Sequence, residues 1–255
     1  TTAEIVRRAP QYGADVLCVY DDKWLMETEF YRLNQWLWTY PENQPAPSPR
    51  APRGFGWFSW KPFIIMDALS RCAPGDIVMY TDADTYPIAD FRVLYEECER
   101  VGGVMLFAAQ GRNNRFDCSR DCFVVMAQDE PRYHDMQAGV ARFMLFQRND
   151  RNWKQRQFLM EWQTYCLNKR ATTFEPSQLK QELDGFSEHR TEQAIMTLLG
   201  AKYGYKFYRE ACAFGNGASE DKELYGQLFC QEGNTGARTL EGSAFRNMDH
   251  SGIGG

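Results

Sequence analysis

Short apolar runs alternate along this chain with amphipathic stretches long enough for helices, and that alternation restricts it to an α/β architecture. Residues 15–20 (D-V-L-C-V-Y), 76–81 (D-I-V-M-Y-T), 104–109, 122–127 and 139–146 read as strands, with a short one at 206–208. Helices are expected over 2–9, the aromatic-rich 27–38, 61–71, 90–100, 153–167 and 188–199. Strands joined through helices pair in parallel, so the expected sheet is mixed but mostly parallel, with helices flanking it. Ligands of such sheets lie beyond the strand C-termini. The proline-rich residues 41–52 suit an exposed loop, and patterned sequence on both sides makes a domain boundary there unattractive. A single domain over 1–255 is therefore expected.

Composition narrows the partners. Against 34 Asp+Glu stand 29 Lys+Arg, a net charge of −5, which argues against nucleic acid as a bulk partner. No apolar run approaches the roughly 20 residues of a membrane helix, and the N-terminus lacks a signal-peptide pattern. Eight cysteines form neither a C-x-x-C pair nor a zinc pattern; those at 18, 122 and 166 read as small buried hydrophobes. The absence of N-x-Ser/Thr sequons favours the cytoplasm, with a Golgi or secretory lumen only if a removed anchor preceded Thr1.

The sharpest local feature is G-D-I-V-M-Y-T-D-A-D over 75–84, an apolar strand running into Asp82-x-Asp84. Sixteen aspartates make about one such triplet expected by chance, and there is one, so context has to discriminate. Residues two apart at a strand end point the same way, which would aim both carboxylates at one hard divalent cation while Ala83 faces the packing. Capping of the turn before Tyr86-Pro87 is the plainer alternative.

Upstream, Ser59 is a candidate cap and Pro62 a first-turn residue for a helix whose start carries Lys61. Trp57, Phe58 and Trp60 read as core or wall rather than sugar platform. His189 and Arg190 open the 188–199 helix, where cations are unfavourable unless an anion offsets them, so phosphate contact is indicated. Glu192 and Gln193 follow, in positions that ordinary capping would also select. Asp21 and Asp22 end the first strand and are able to accept a base N–H or simply make a turn. His250, in a Gly/Asn-rich tail, suits Mn²⁺ or solvent equally, and His134 reads as a surface residue.

Taken together, Ser59-Trp-Lys61, a helix and then Y-T-D-A-D-T resemble the corresponding segment of the family-eight GT-A glycosyltransferases, such as glycogenin and the bacterial lipopolysaccharide galactosyltransferases. The strong part covers about 30 residues, and three later segments fit the same order. Gln137-Ala138-Gly139-Val is similar to the family's N-A-G-V strand against the donor sugar, with Gln137 in place of Asn. Glu192-Gln193-Ala194 is similar to its D-Q-D region, with one carboxylate replaced by alanine. Met248-Asp-His250-Ser-Gly resembles the C-terminal segment whose histidine is the third metal ligand, with glycine one residue early.

The resemblance implies a GT-A (Rossmann-like) domain, with 1–109 the nucleotide-binding half and 110–255 the donor-sugar and acceptor half. It implies Mn²⁺ (or Mg²⁺) on Asp82, Asp84 and His250, and a nucleoside-diphosphate sugar held by Lys61, Ala83, Gln137, Ala138, Gly139, His189, Arg190 and Asp21. Glu192 and Gln193 would be catalytic, moving the sugar with retention to a hydroxyl of a glycan, glycoprotein or small molecule. Cation and lysine offset charge on the departing diphosphate, while Glu192 or Gln193 faces an oxocarbenium-like sugar. Inversion with Glu192 as base, or a non-catalytic carbohydrate or nucleotide-sugar binder, are the alternatives. A sugar nucleotidyltransferase would need a Gly-rich basic loop near the N-terminus, which is absent from these residues. The expected sheet should begin with a strand ahead of the 2–9 helix, so that strand is expected to be missing from the numbered chain.

Overall fold

A computed structural model describes residues 2–39, 55–211 and 227–231. The helices are α1 (Thr2–Tyr12), α2 (Asp22–Met26), α3 (Glu29–Leu33), α4 (Lys61–Arg71), α5 (Arg92–Arg100), α6 (Asn114–Asp117), α7 (Arg120–Val125), α8 (Pro131–His134), α9 (Trp153–Cys166), α10 (Lys169–Thr172) and α11 (Thr191–Lys202). The strands are β1 (Ile77–Thr81), β2 (Thr85–Pro87), β3 (Val104–Asn113), β4 (Gln137–Gln147), β5 (Phe207–Arg209) and β6 (Phe229–Gln231).

The fold is α/β, with a four-stranded sheet in the order β1-β4-β3-β5. β4 pairs antiparallel with both β1 and β3, and only β3 and β5 are parallel neighbours. The sheet is thus mixed and mostly antiparallel, which corrects the mostly parallel expectation. β1, β3 and β5 do run one way, but β4 returns between two of them. Its residues are buried almost throughout, and such a run reads alike in either direction.

Alternation along the central strands divides the core. Leu106, Ala108, Met144 and Phe146 face a cluster containing Ile65 of α4, Trp162 of α9 and Leu198 of α11. Met105, Phe107, Phe143 and Leu145 face the other side, against Leu94 and Cys98 of α5. A second, two-stranded ribbon pairs β2 with β6 antiparallel, setting Thr85 opposite Gln231. Among the described residues, no helix is long and apolar enough to cross a membrane.

Five local expectations are corrected. Residues 15–20 are extended but enter no ladder, and Val16 and Val19 are 79% and 59% exposed, because no described strand lies beside them. Cys18 is exposed with them, while Cys122 and Cys166 are buried free thiols. The apolar 122–127 run lies largely in helix α7, started by the Ser119 hydroxyl accepting from Cys122 N–H; a short apolar run does not distinguish helix from strand. The aromatic 27–38 stretch breaks into α3 and a 3-10 turn, with Thr28 capping α3. His134 is buried rather than superficial, its ring against Phe123 and 2.8 Å from Asp129.

Candidate active site

β1 ends at Thr81, and the two aspartates follow at the edge shared by the C-termini of β1, β3 and β5. α4 begins beside them, with Pro62 in its first turn and Lys61 as its first residue. Lys61 is 3% exposed, a rare condition for a lysine. Its Nζ lies 3.1 Å from Asp82 Oδ1 and 2.9 Å from Glu192 Oε1, and donates to the Ala141 carbonyl at 3.2 Å. Tyr80 donates its hydroxyl proton to the same Asp82 oxygen at 2.6 Å, and Thr191 donates to Glu192 Oε2 at 2.5 Å. Phe58 and Tyr80 present their rings to the ammonium at 4.8 and 5.6 Å.

Burial alone would lower the Lys61 pKa, but the carboxylates of Asp82 and Glu192 override it and hold the ammonium charged. Burial pushes Glu192 above the usual carboxylate range, with Lys61 working against the rise. Burial and the Asp82 charge together raise the Tyr80 phenol well above its ordinary value. Tyr80 therefore stays a donor.

Left-handed backbone flanks this cluster on two sides. Gly56, Trp57 and Phe58 have φ of 61°, 56° and 56°, and Thr191, directly before Glu192, has φ of 44°. Each such non-glycine residue costs of the order of 1–3 kcal/mol unless its surroundings impose it. The turn is imposed by packing: a Cβ on Gly56 would meet the Trp38 ring at 2.0 Å, and Trp57 packs edge-on against Phe174. Its product is the Phe58 ring on Lys61. Ser59, the candidate cap, makes no capping bond and instead donates to the Cys166 carbonyl at 3.0 Å, because its side chain is turned into the core.

Asp84 has different partners from Asp82. Its Oδ2 accepts from Gln231 Nε2 at 2.7 Å and its Oδ1 from Thr85 at 3.2 Å. Gln231 Oε1 accepts from Arg142 Nη1 at 2.9 Å, and Arg142 Nε donates to the fully buried Glu210 at 2.6 Å. The Arg142 carbonyl accepts the Asp82 N–H at 2.9 Å. Sequence reasoning missed Arg142, Gln231 and Glu210, and gave no role to Tyr80 although it opens the Y-T-D-A-D-T run. Of the first three, Arg142 alone carried a signal, as the single charged residue of β4.

The remaining sequence-selected residues fall in different places. Gln193 Oε1 accepts weakly from Ala141 N–H at 3.4 Å, which sets it beside the Lys61 cluster. Ala83 is exposed, not packed, because the chain turns outward after β1. Gln137 donates to the Ala109 carbonyl at 2.9 Å and Ala138 is buried. Gly139 packs β4 on α11: an added Cβ would lie 2.5 Å from Phe207, and its N–H donates to Thr197.

His189 and Arg190 precede α11 rather than open it, since the helix begins at Thr191. Buried His189 accepts the Ser119 N–H on Nδ1 and faces the Ala171 carbonyl with Nε2 at 2.9 Å. Both ring nitrogens are thus used inside the protein, which corrects the phosphate-contact expectation for this residue. Burial pushes its pKa down to about 4, so the ring is neutral. Arg190 pairs with Glu188 at 2.7 Å. Asp21 caps α2 by accepting from Trp24 N–H at 2.8 Å, the turn alternative for that residue.

His250 lies outside the described residues. Among the described residues, no three His, Cys, Asp or Glu side chains converge as a ready cation site. No family model, curated protein or solved structure matches this chain, so the site is read from its own geometry.

Proposed function

We infer that this chain is a metal-dependent glycosyltransferase of GT-A architecture, moving a sugar from a nucleoside-diphosphate sugar to a hydroxyl acceptor with retention. The observation that supports it is the meeting of Lys61, Asp82 and Glu192, drawn from three separate segments, at the C-terminal edge of the sheet. That edge is where ligands of α/β sheets bind.

The donor set suits Mn²⁺ or Mg²⁺. Lys61 and Tyr80 both address Asp82 Oδ1, which leaves Oδ2 of a part-exposed carboxylate for a hard cation, with Asp84 adjacent. Asp82 and Asp84 would hold the ion, joined by His250. When bound, such an ion supplies Lewis-acid charge against the diphosphate.

The chain's own residues do the rest. Lys61 fixes Asp82 and Glu192 and adds a desolvated positive charge behind the leaving group. Glu192 supplies negative charge to an oxocarbenium-like sugar, and Gln193 orients it. Retention is favoured because Glu192 is 3% exposed and shared between Lys61 and Thr191, a poor position for taking a proton from an incoming acceptor.

Titrating UDP-, GDP- and dTDP-sugars with and without Mn²⁺ in a thermal-shift assay tests this reading. Stabilisation that needs both metal and one nucleotide, lost in Asp84→Ala and accompanied by release of nucleoside diphosphate in a coupled assay, is expected. Stabilisation by free glycan without nucleotide would replace it with a carbohydrate-binding role.

A further inference from the structure

The geometry points to Arg142 and Gln231 as positioning residues for Asp84, a role that rests on the reading of Asp84 as a ligand of the bound cation. An amide side chain has one accepting and one donating end. Arg142 has only donors to offer, so its Nη1 at 2.9 Å claims Gln231 Oε1 and turns the Gln231 NH₂ toward Asp84. The NH₂ then donates to Asp84 Oδ2 at 2.7 Å. Arg142 is itself held by Glu210 at 2.6 Å, a carboxylate buried at the end of β5.

Two features separate this chain of contacts from ordinary packing. Arg142 governs both aspartates, taking the Asp82 N–H on its carbonyl and reaching Asp84 through Gln231. A neutral amide also stands between the guanidinium and Asp84. An arginine placed directly against the carboxylate would engage both oxygens in a bidentate pair. The interposed glutamine holds one oxygen and, among the described residues, leaves Oδ1 with only the 3.2 Å contact from Thr85. The Asp84 carboxylate is thus oriented without being neutralised, the condition that a ligand to a hard cation needs.

The test uses the whole chain and Mn²⁺ alone, with free Mn²⁺ followed by electron paramagnetic resonance and folding by thermal melting. Gln231→Met keeps the volume and removes both hydrogen bonds; Arg142→Lys keeps charge for Glu210 and removes the planar fork. Each is expected to weaken Mn²⁺ binding by about 10- to 100-fold while the protein remains folded, as loss of a group supporting a metal ligand does. Without metal, the Gln231 side-chain NH₂ resonances should shift in Asp84→Asn and in Arg142→Lys. Wild-type Mn²⁺ affinity in folded Gln231→Met, or Gln231 resonances indifferent to Asp84→Asn, overturns the positioning role alone. Equal Mn²⁺ binding by wild type and Asp84→Asn overturns the underlying metal reading and the positioning role with it.

Discussion

Lys61 and Glu192 meet at 2.9 Å with side chains only 4% and 5% exposed, an ion pair enclosed between the starts of α4 and α11. Because Asp82 shares the same ammonium, removing the lysine leaves two carboxylates facing each other. Breaking a buried pair from one side typically costs about 3–5 kcal/mol, far more than the pair adds over an apolar substitute. Lys61→Met should therefore unfold at much lower urea concentration, and adding Glu192→Leu should recover a large part of the loss. Urea melts of the two single variants and the double variant measure the coupling.

The two aspartates should behave differently when each is made neutral. Asp82→Asn takes a charge away from buried Lys61 and is expected to lower stability by about 1–3 kcal/mol. Asp84→Asn replaces a carboxylate whose described partners are Gln231 and Thr85, so its effect should stay within about 0.5 kcal/mol. Both should abolish Mn²⁺-dependent stabilisation. Chemical denaturation without metal separates the first effect from the second.

How much of this was legible follows from how local each cause is. α4 was readable because Pro62, the apolar spacing of Ile64, Ile65 and Leu69 and the following Ala-Pro-Gly are all neighbours in sequence. β1 and its trailing aspartates were readable for the same reason. The place of β4 between β1 and β3 was not, since a strand buried on both faces carries no mark of its partners. Residues 15–20 had strand composition, but a strand exists only with a neighbour, and composition cannot supply one. Lys61, Asp82 and Glu192 were each visible singly, whereas their convergence depends on α4 and α11 packing over one face of the sheet. Gln231 and Glu210 were invisible, because nothing near them in sequence points to Arg142.

The left-handed turn at Gly56 makes a third test independent of any ligand. Gly56→Ala combines φ of 61° with a Cβ 2.0 Å from the Trp38 ring, so the turn has to rebuild. Overpacking and backbone strain of this kind cost about 1–3 kcal/mol. The loss should come with a changed near-ultraviolet circular dichroism spectrum, because Trp38, Trp57 and Phe58 all depend on that turn. An unchanged spectrum with unchanged stability would show that the turn is not held as described.

His189 sets a pH dependence whose sign is fixed by its burial. In the unfolded chain the imidazole titrates near 6.5, whereas in the folded protein burial holds it down to about 4. Above 6.5 the ring is neutral in both states and its contribution is fully present. As pH falls through the window from 6.5 to about 4, the unfolded state takes up a proton that the folded state refuses, so stability declines with acid. By pH 5 the loss from this ring amounts to about 2 kcal/mol relative to pH 7. His189→Gln retains hydrogen-bonding capacity but cannot titrate. It should start less stable at pH 7, since an open-chain amide does not refill the volume of the buried ring that places one nitrogen on the Ser119 N–H and the other on the Ala171 carbonyl, and should lose less on going to pH 5. Urea melts of both proteins at pH 7, 6 and 5 compare the slopes. Parallel slopes would mean that the ring is already charged in the folded protein, or that it is not enclosed between α7 and α10.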